Sequence, residues 1–249
     1  MKKSAIFMSL TLLFILSLVL SPPPTQADHV IKAKRHTDAV SMMGQSQPAK
    51  DEEVTTWLAK DKMRRDEGDT TMLVRFDTKK IYMINHSDKT FSEMNLPIDL
   101  DQVVPPEAKQ MMDSMNMSST VTDTGEAKTI NNWNCKKYLV EIAVSMMGMS
   151  MPITMHIWTS EDLGVDADLY KKFYAETLSL NPMFSEFIEE FKKMDGYPVR
   201  TEFSMNMMGA EQKQWEEVVS VEKKDAPAGT YDLAQGYTKT EFNPFKQQR

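Results

Sequence analysis

The sequence predicts an α+β fold built on a large antiparallel sheet, with two helices in the second half. Three features support this: short strands separated by tight turns over residues 57–94, a strict two-residue apolar alternation over residues 147–157, and helical spacing from residue 166 onward. Strands that follow one another this closely pair antiparallel, because a parallel pair needs a long crossover connection.

The first 27 residues are expected to form a cleaved secretory signal peptide. Lys2 and Lys3 precede an apolar stretch over residues 5–20, and Thr25-Gln26-Ala27 presents small residues for cleavage after Ala27. The apolar stretch is shorter than the ~20 residues that a membrane-spanning helix needs. We therefore expect residues 28–249 to be exported, to form one domain and to contain no membrane span.

Charge and cysteine content exclude several classes of function. Without the signal peptide, 27 basic and 36 acidic residues remain, which leaves a net charge of −9. That acidity argues against nucleic acid or an anionic lipid surface as a partner. Cys135 is the only cysteine, so no disulfide can form within the chain.

In the first half of the chain, the pattern predicts a strand that ends at the first Met-Met-Gly, a polar connection over residues 45–53, and then a meander with turns rich in Asp, Asn, Gly and Ser. The predicted strands cover residues 29–40, 57–65, 72–76, 80–85 and 90–94. Residues 99–117 change to helical spacing.

In the second half, strands are expected over residues 128–145 and 147–157, with a turn at Gly125-Glu126 before them. A first helix over residues 166–180 would bury Phe173. A second helix would have Asn181 as its N-cap and Pro182 at its first position, and would end at Gly196. Strands over residues 199–207 and 214–223 follow.

Methionine is the most distinctive residue type. Fourteen of the twenty methionines after residue 27 lie in four short segments, and Met-Met-Gly occurs three times, each time where a predicted strand ends. This placement predicts methionine pairs at one rim of the sheet. Methionine is adaptable in apolar packing, but its thioether is also a soft ligand that favours Cu(I).

Several segments resemble a family of secreted bacterial proteins that is known only as a domain of unknown function. The matching segments are Trp57 with Lys60-Asp61-Lys62-Met63-Arg64, Lys80-Ile81-Tyr82-Met83-Ile84-Asn85, Trp133-Asn134-Cys135-Lys136-Lys137-Tyr138, Ile157-Trp158-Thr159, Gly196-Tyr197-Pro198-Val199 and Pro227-Ala228-Gly229-Thr230-Tyr231. The order of strands and helices resembles the periplasmic lipoprotein carriers. That resemblance implies an antiparallel open half-barrel whose concave face is plugged by helices.

The half-barrel resemblance implies a periplasmic, non-catalytic binder or carrier of a lipid or other hydrophobic ligand, with no cofactor. Its apolar lining is predicted to contain Met147, Met149, Met151, Ile153, Met155, Ile157, Phe173, Phe184, Ile188 and Phe191. The sequence shows no catalytic motif, so we expect no enzyme.

Two other interpretations are open. The first is a Cu(I) or Ag(I) site made by Met111, Met112, Met115 and Met117, whose spacing places thioethers close together if the segment is helical. The second is an envelope protein that acts only through contact with another protein, in which case the same apolar residues would form a closed core.

Overall fold

The structure, a computed structural model, describes residues 27–42, 45–97, 115–146, 149–178, 184–207 and 210–242. The predicted signal peptide therefore lies outside the described residues, except for Ala27. The strands are β1 (His29–Thr37), β2 (Val40–Met42), β3 (Gln45–Gln47), β4 (Lys50–Leu58), β5 (Lys62–Glu67), β6 (Thr70–Arg75), β7 (Lys80–Asn85), β8 (Thr90–Asn95), β9 (Met115–Ile130), β10 (Trp133–Met146), β11 (Met149–Ser160), β12 (Tyr197–Met207), β13 (Ala210–Lys223) and β14 (Thr238–Lys239). The helices are α1 (Ala167–Leu178) and α2 (Ser185–Phe191).

Twelve strands form one open sheet in the order β14-β8-β7-β6-β5-β4-β1-β13-β12-β11-β10-β9. Neighbouring strands are antiparallel except for β14, which pairs parallel with β8. The predicted antiparallel class is therefore confirmed. Strand β1 lies in the middle because it pairs on one side with β4 and on the other with β13, near the end of the chain.

The predicted meander forms β4 to β8, and three of its four turns lie at the predicted turn residues. Lys79 and Lys89 have positive φ angles of 54° and 50° in two of these turns. The strand predicted over residues 57–65 is wrong, because the chain reverses between Leu58 and Lys62, where Ala59 N donates to the carbonyl oxygen of Lys62. The predicted polar connection over residues 45–53 is wrong, because β3 lies within it and β4 begins at Lys50. Lys50 pairs with Thr37 of β1, so pairing with a neighbouring strand extends β4 into a polar segment.

The region before β10 also differs from the sequence prediction. The turn expected at Gly125-Glu126 lies inside β9, and the chain instead reverses at Asn131, whose φ is 52°. Gly125 has a φ of 71° and lies opposite a register shift between Lys136 and Tyr138. We infer that the glycine accommodates a β-bulge rather than a turn. Residues 115–117, expected to be helical, belong to β9; residues 98–114 lie outside the described residues.

Both helices pack on one face of the sheet. Phe173 of α1 is fully buried among side chains of the meander, stacked on Phe76 with ring centroids 4.4 Å apart. The second helix begins later than predicted, at Ser185 with Phe184 as its N-cap, and it ends at Phe191 rather than near Gly196. The predicted cap residues 181 and 182 lie outside the described residues.

Helix α2 also buries a different face from the one predicted. The spacing of Phe184, Ile188 and Phe191 suggested one apolar stripe, but the buried residues are Phe187 and Phe191. They pack against Tyr138 and other apolar side chains of β10 and β11. Phe184 and Ile188 are only half-buried, because the helix rotates to place two phenylalanines four residues apart on the sheet.

Residues 230–237, which follow β13, make polar contacts with the meander. Arg64 Nη1 donates to the carbonyl oxygen of Thr230 at 3.0 Å, and Arg75 Nη1 donates to that of Tyr231 at 2.8 Å. His86 Nδ1 lies 2.8 Å from the Tyr237 hydroxyl. Within the described ranges, no helix is long and apolar enough to cross a membrane.

Candidate functional site

A cavity of about 780 Å³ lies between the sheet and helix α1. Its walls come from β1, β4 to β8 and β11 to β13, so this face of the open sheet curves around it. The lining residues are Ile31, Ala33, Arg35, Thr56, Met63, Arg65, Glu67, Thr70, Met72, Ile81, Met83, Met94, Met155, Tyr170, Tyr174, Thr177, Leu178, Tyr197, Pro198, Val199, Thr201, Phe203, Gln214, Glu216, Val218 and Phe242. The volume lies within the range of ~300–1,000 Å³ typical of small-molecule sites.

One wall of the cavity is a methionine strip formed by Met63, Met72, Met83 and Met94. Each residue comes from a different strand of β5 to β8, and Met72 lies directly opposite Met83. None belongs to the methionine clusters of the sequence. Their recurrence every nine to eleven residues is the signal that could have identified them, because it places one methionine on each of the four strands β5 to β8.

Next to the methionine strip lies an ionic quartet made by Arg35, Arg65, Glu67 and Glu216. Arg35 donates from Nη1 to Glu67 Oε2 and from Nη2 to Glu216 Oε2, both at 2.8 Å. Arg65 donates from Nη2 to Glu216 Oε2 at 2.6 Å and from Nε to Glu67 Oε1. Each arginine therefore contacts both glutamates across β5, β1 and β13.

All four charges of the ionic quartet are largely shielded from solvent, with side chains 17–29% exposed. Burial opposes ionisation of Glu67, but hydrogen bonds and the positive charges of Arg35 and Arg65 outweigh it and hold its pKa below the usual range. Burial likewise disfavours the charged form of Arg35, yet its two glutamate partners raise its pKa. The formal charges of the two arginines and the two glutamates cancel, so the quartet has no net formal charge.

Three tyrosines of the cavity form a connected aromatic group. The ring centroid of Tyr170 lies 4.6 Å from that of Tyr197 and 5.2 Å from that of Tyr174. Burial raises the pKa of Tyr170 and of Tyr197, and both phenols also interact electrostatically with Arg65 and Glu216. Their hydroxyl groups therefore stay protonated beside the ionic quartet. Tyr174 is 39% exposed and lies where the cavity wall meets solvent.

Four of the predicted lining residues are divided between the cavity and the two cores that flank it. Met155 lines the cavity. Ile157 and Phe191 are buried in the neighbouring core around Tyr138, and Phe173 is buried in the core of the meander.

The other predicted lining residues are not part of the cavity wall or lie outside the described residues. Ile153 and Met151 are half-buried farther along β11. Met149 is the first residue of that strand. Met147 lies outside the described residues, whereas Phe184 and Ile188 are half-buried at α2.

Strand register places the described members of three methionine clusters at one end of the sheet. Met146 of β10 pairs with Met115 of β9 on one side and with Met149 of β11 on the other. Met207 is the last residue of β12, which ends at this same end of the sheet. Met146 and Met207, each the first residue of a Met-Met-Gly tripeptide, thus lie at the same end of the sheet. Met42 of the remaining tripeptide lies in β2, which belongs to a separate two-stranded sheet, and Met43, Met147 and Met208 lie outside the described residues.

The metal-site prediction changes in the same region. Met115 and Met117 lie on strand β9. Met115 therefore cannot share a helical face with Met111, as the predicted site required. Met111 and Met112 lie outside the described residues. No three His, Cys, Asp or Glu side chains are grouped as metal ligands in the part of the chain that the structure describes.

The missed functional candidates are the charges of the ionic quartet. Arg35 shares the alternation phase of Ile31 and Ala33 on β1, and both Arg65 and Glu67 share that of Met63 on β5. A charged residue at a strand position whose neighbours on the same face are apolar is the feature of the sequence that could have identified them. The sequence prediction instead placed the scattered charged residues on the solvated surface, where most such residues lie.

Comparison with known proteins gives a family but no activity. No curated protein matches the chain. One family model matches residues 39–237, which include the segments on which the resemblance to an uncharacterised secreted family depends. The chain belongs to the family described as a domain of unknown function, DUF4412.

Proposed function

We propose that this protein is a periplasmic, non-catalytic binder or carrier of a lipid or other hydrophobic ligand. The observation that carries the proposal is the cavity of about 780 Å³ with the methionine strip along one wall. Methionine side chains repack at little cost, so they suit a site that receives flexible chains. The arrangement of an open sheet with helices on one face supports a likeness to the lipoprotein-carrier half-barrel.

The first experiment is organic extraction of gently purified protein followed by mass spectrometry. A lipid that co-purifies in stoichiometric amount is the expected result. A protein that contains no lipid and does not bind the uncharged apolar dye N-phenyl-1-naphthylamine would contradict the proposal. In that case, cross-linking in the intact envelope would test the interpretation as a protein-contact module.

Variants of two adjacent residues on β7 test whether the dye occupies the cavity. Met83 lines the cavity, whereas Tyr82 alternates to the other side of the strand and is absent from the lining. Met83→Gln keeps nearly the same size but places an amide on the apolar wall, so dye affinity should fall several-fold. Tyr82→Gln is the matched control and should leave dye affinity unchanged. Equal effects of the two variants would exclude the cavity as the dye site.

A second candidate function is the binding of Cu(I) or Ag(I) at the methionine-rich rim. The observation that favours it is the row formed by Met115, Met146 and Met149 on three neighbouring strands. Directly paired residues have Cα atoms about 4.5–5.5 Å apart, closer than the ~6–7 Å between alternate residues of one strand. A competition titration with a Cu(I) chelator tests it. Unchanged affinity after all three are replaced by leucine would reject the row as a site.

A further inference from the structure

The methionine strip and the ionic quartet are centred on different parts of the sheet and meet on β5. The methionine strip spans β5 to β8, at one side of the open sheet, whereas the ionic quartet spans β5, β1 and β13, in its middle. A ligand that fills both regions must be an amphiphile, with its chain on the methionine strip and its head against the quartet. This inference rests on the proposed function and specifies the chemistry of the ligand head.

The charges of the ionic quartet select against a head with net charge. Its two guanidinium groups and two carboxylates cancel, and each arginine already contacts both glutamates. An anionic head would approach Arg35 and Arg65 only beside the two carboxylates. A cationic head would likewise approach the two carboxylates only beside the guanidinium groups, which would repel it. Because burying an unpaired charge is costly, a head without net charge fits this region best.

The hydroxyl groups of Tyr170 and Tyr197, beside the quartet, indicate which kind of uncharged head group the cavity can bind. Tyr170 and Tyr197 line the cavity, and neither phenol hydroxyl has a hydrogen-bond partner among the described residues. Tyr197 is 6% exposed. Neither hydroxyl is among the fully buried, unpaired side-chain atoms of the described residues, so both face the space of the cavity, where two donors are available to an acceptor on a ligand. Raised pKa values keep both phenols protonated as donors.

Arg65 also has hydrogen-bond donors that an acceptor on the ligand head could use. A guanidinium group carries five N–H donors. The Nη1 group of Arg65 has only a 3.4 Å contact with the Thr56 hydroxyl. Carbonyl oxygens of an ester or amide could accept from this group and from the phenols without adding charge.

We propose that the cavity binds an acyl ester or acyl amide without net charge, whose carbonyl oxygens accept hydrogen bonds from Tyr170 and Tyr197 beside the ionic quartet. The acyl chain lies along the methionine strip. Free fatty acids and long-chain amines bind less well, because each adds one uncompensated charge to a neutral cluster.

Three ligands with the same fourteen-carbon chain test the head-group preference: 1-monomyristoylglycerol, myristic acid and tetradecylamine. Each is titrated into the whole exported protein to displace N-phenyl-1-naphthylamine. We expect 1-monomyristoylglycerol to bind at least tenfold more tightly than either charged ligand. Equal affinities, or preference for a charged ligand, would overturn the head-group proposal while leaving the proposed function intact. If neither the dye nor any of the three ligands binds, both the head-group proposal and the proposed function are contradicted.

A double variant tests the two phenols. Tyr170→Phe with Tyr197→Phe removes both hydroxyls and keeps the aromatic packing, so 1-monomyristoylglycerol affinity should fall about tenfold relative to dye affinity. Tyr82→Phe, outside the cavity, is the matched control and should change neither affinity. An unchanged ratio in the double variant would overturn the assignment of the phenols.

A charge variant tests the role of the ionic quartet separately. Glu216→Gln leaves the quartet with one excess positive charge, so myristic acid should gain affinity relative to 1-monomyristoylglycerol. No gain in a variant whose circular dichroism spectrum matches the wild type would contradict the argument from charge balance. If that variant does not fold, Glu67→Gln makes the same change in net charge and is judged by the same comparison.

Discussion

Helix α1 should depend on Phe173 for its attachment over the cavity. The side chain is fully buried, stacks on Phe76 at 4.4 Å, and packs in the core of the meander. Truncation of a buried phenylalanine to alanine costs about 3–5 kcal/mol, through lost transfer free energy and the cavity left behind. For a domain of this size, each kcal/mol lowers Tm by about 2–4 °C, so Phe173→Ala should lower it by roughly 6–20 °C.

Urea unfolding followed by circular dichroism measures the loss directly, and an unchanged m-value would attribute it to stability rather than to a more open native state. Phe184→Ala is the matched control, because Phe184 was predicted from sequence to line the same site but is only half-buried. It should cost less than half as much. Equal small losses of about 1 kcal/mol in both variants would refute the conclusion that Phe173 anchors α1 to the sheet.

Two further predictions concern backbone conformation and pH. Gly196→Ala should destabilise the protein more than Gly229→Ala in urea unfolding. Both glycines have positive φ, but an added Cβ at Gly196 would lie 2.6 Å from the carbonyl of Ser160, whereas at Gly229 it would meet nothing within 4 Å. Strain alone costs about 1–2 kcal/mol, and equal losses would show that the Ser160 backbone moves aside freely. The hydrogen bond to Asp51 raises the pKa of His36, so the stability from this pair should be fully present below ~6.5 and lost as pH rises through the raised value. An NMR titration in which Asp51→Asn fails to lower the His36 pKa would contradict this assignment.

The local pattern predicted the meander well because each of its strands pairs with the next one in sequence. Turn-forming residues separate the runs, and each strand has a neighbour within a few residues, so no distant segment is needed. The predictions failed where pairing with a neighbouring strand overrides the local pattern. Lys50 joins a strand because it lies opposite Thr37, and Gly125 continues one because β9 and β10 pair with a bulge.

Of the residues predicted to line a ligand site, only Met155 lines the cavity among the residues that the structure describes. Alternation correctly placed Met155 and Ile157 on one face of β11, but no local rule shows where that face curves away from a packed core to leave space. The methionine clusters drew the prediction toward the end of the sheet. The isolated methionines of β5 to β8, one on each strand, line the cavity together with Met155.

The antiparallel class, the alternation of buried and exposed faces, and the presence of helices after residue 166 are predictable from local sequence, because they depend on spacings of a few residues. The position of β1 between β4 and β13 is set only when the complete sheet forms. That placement brings together Arg35, Arg65, Glu67 and Glu216, which are separated by as many as 181 residues in sequence. Strand order in an open sheet depends on how the whole face closes over the helices, and local periodicity carries no information about that closure.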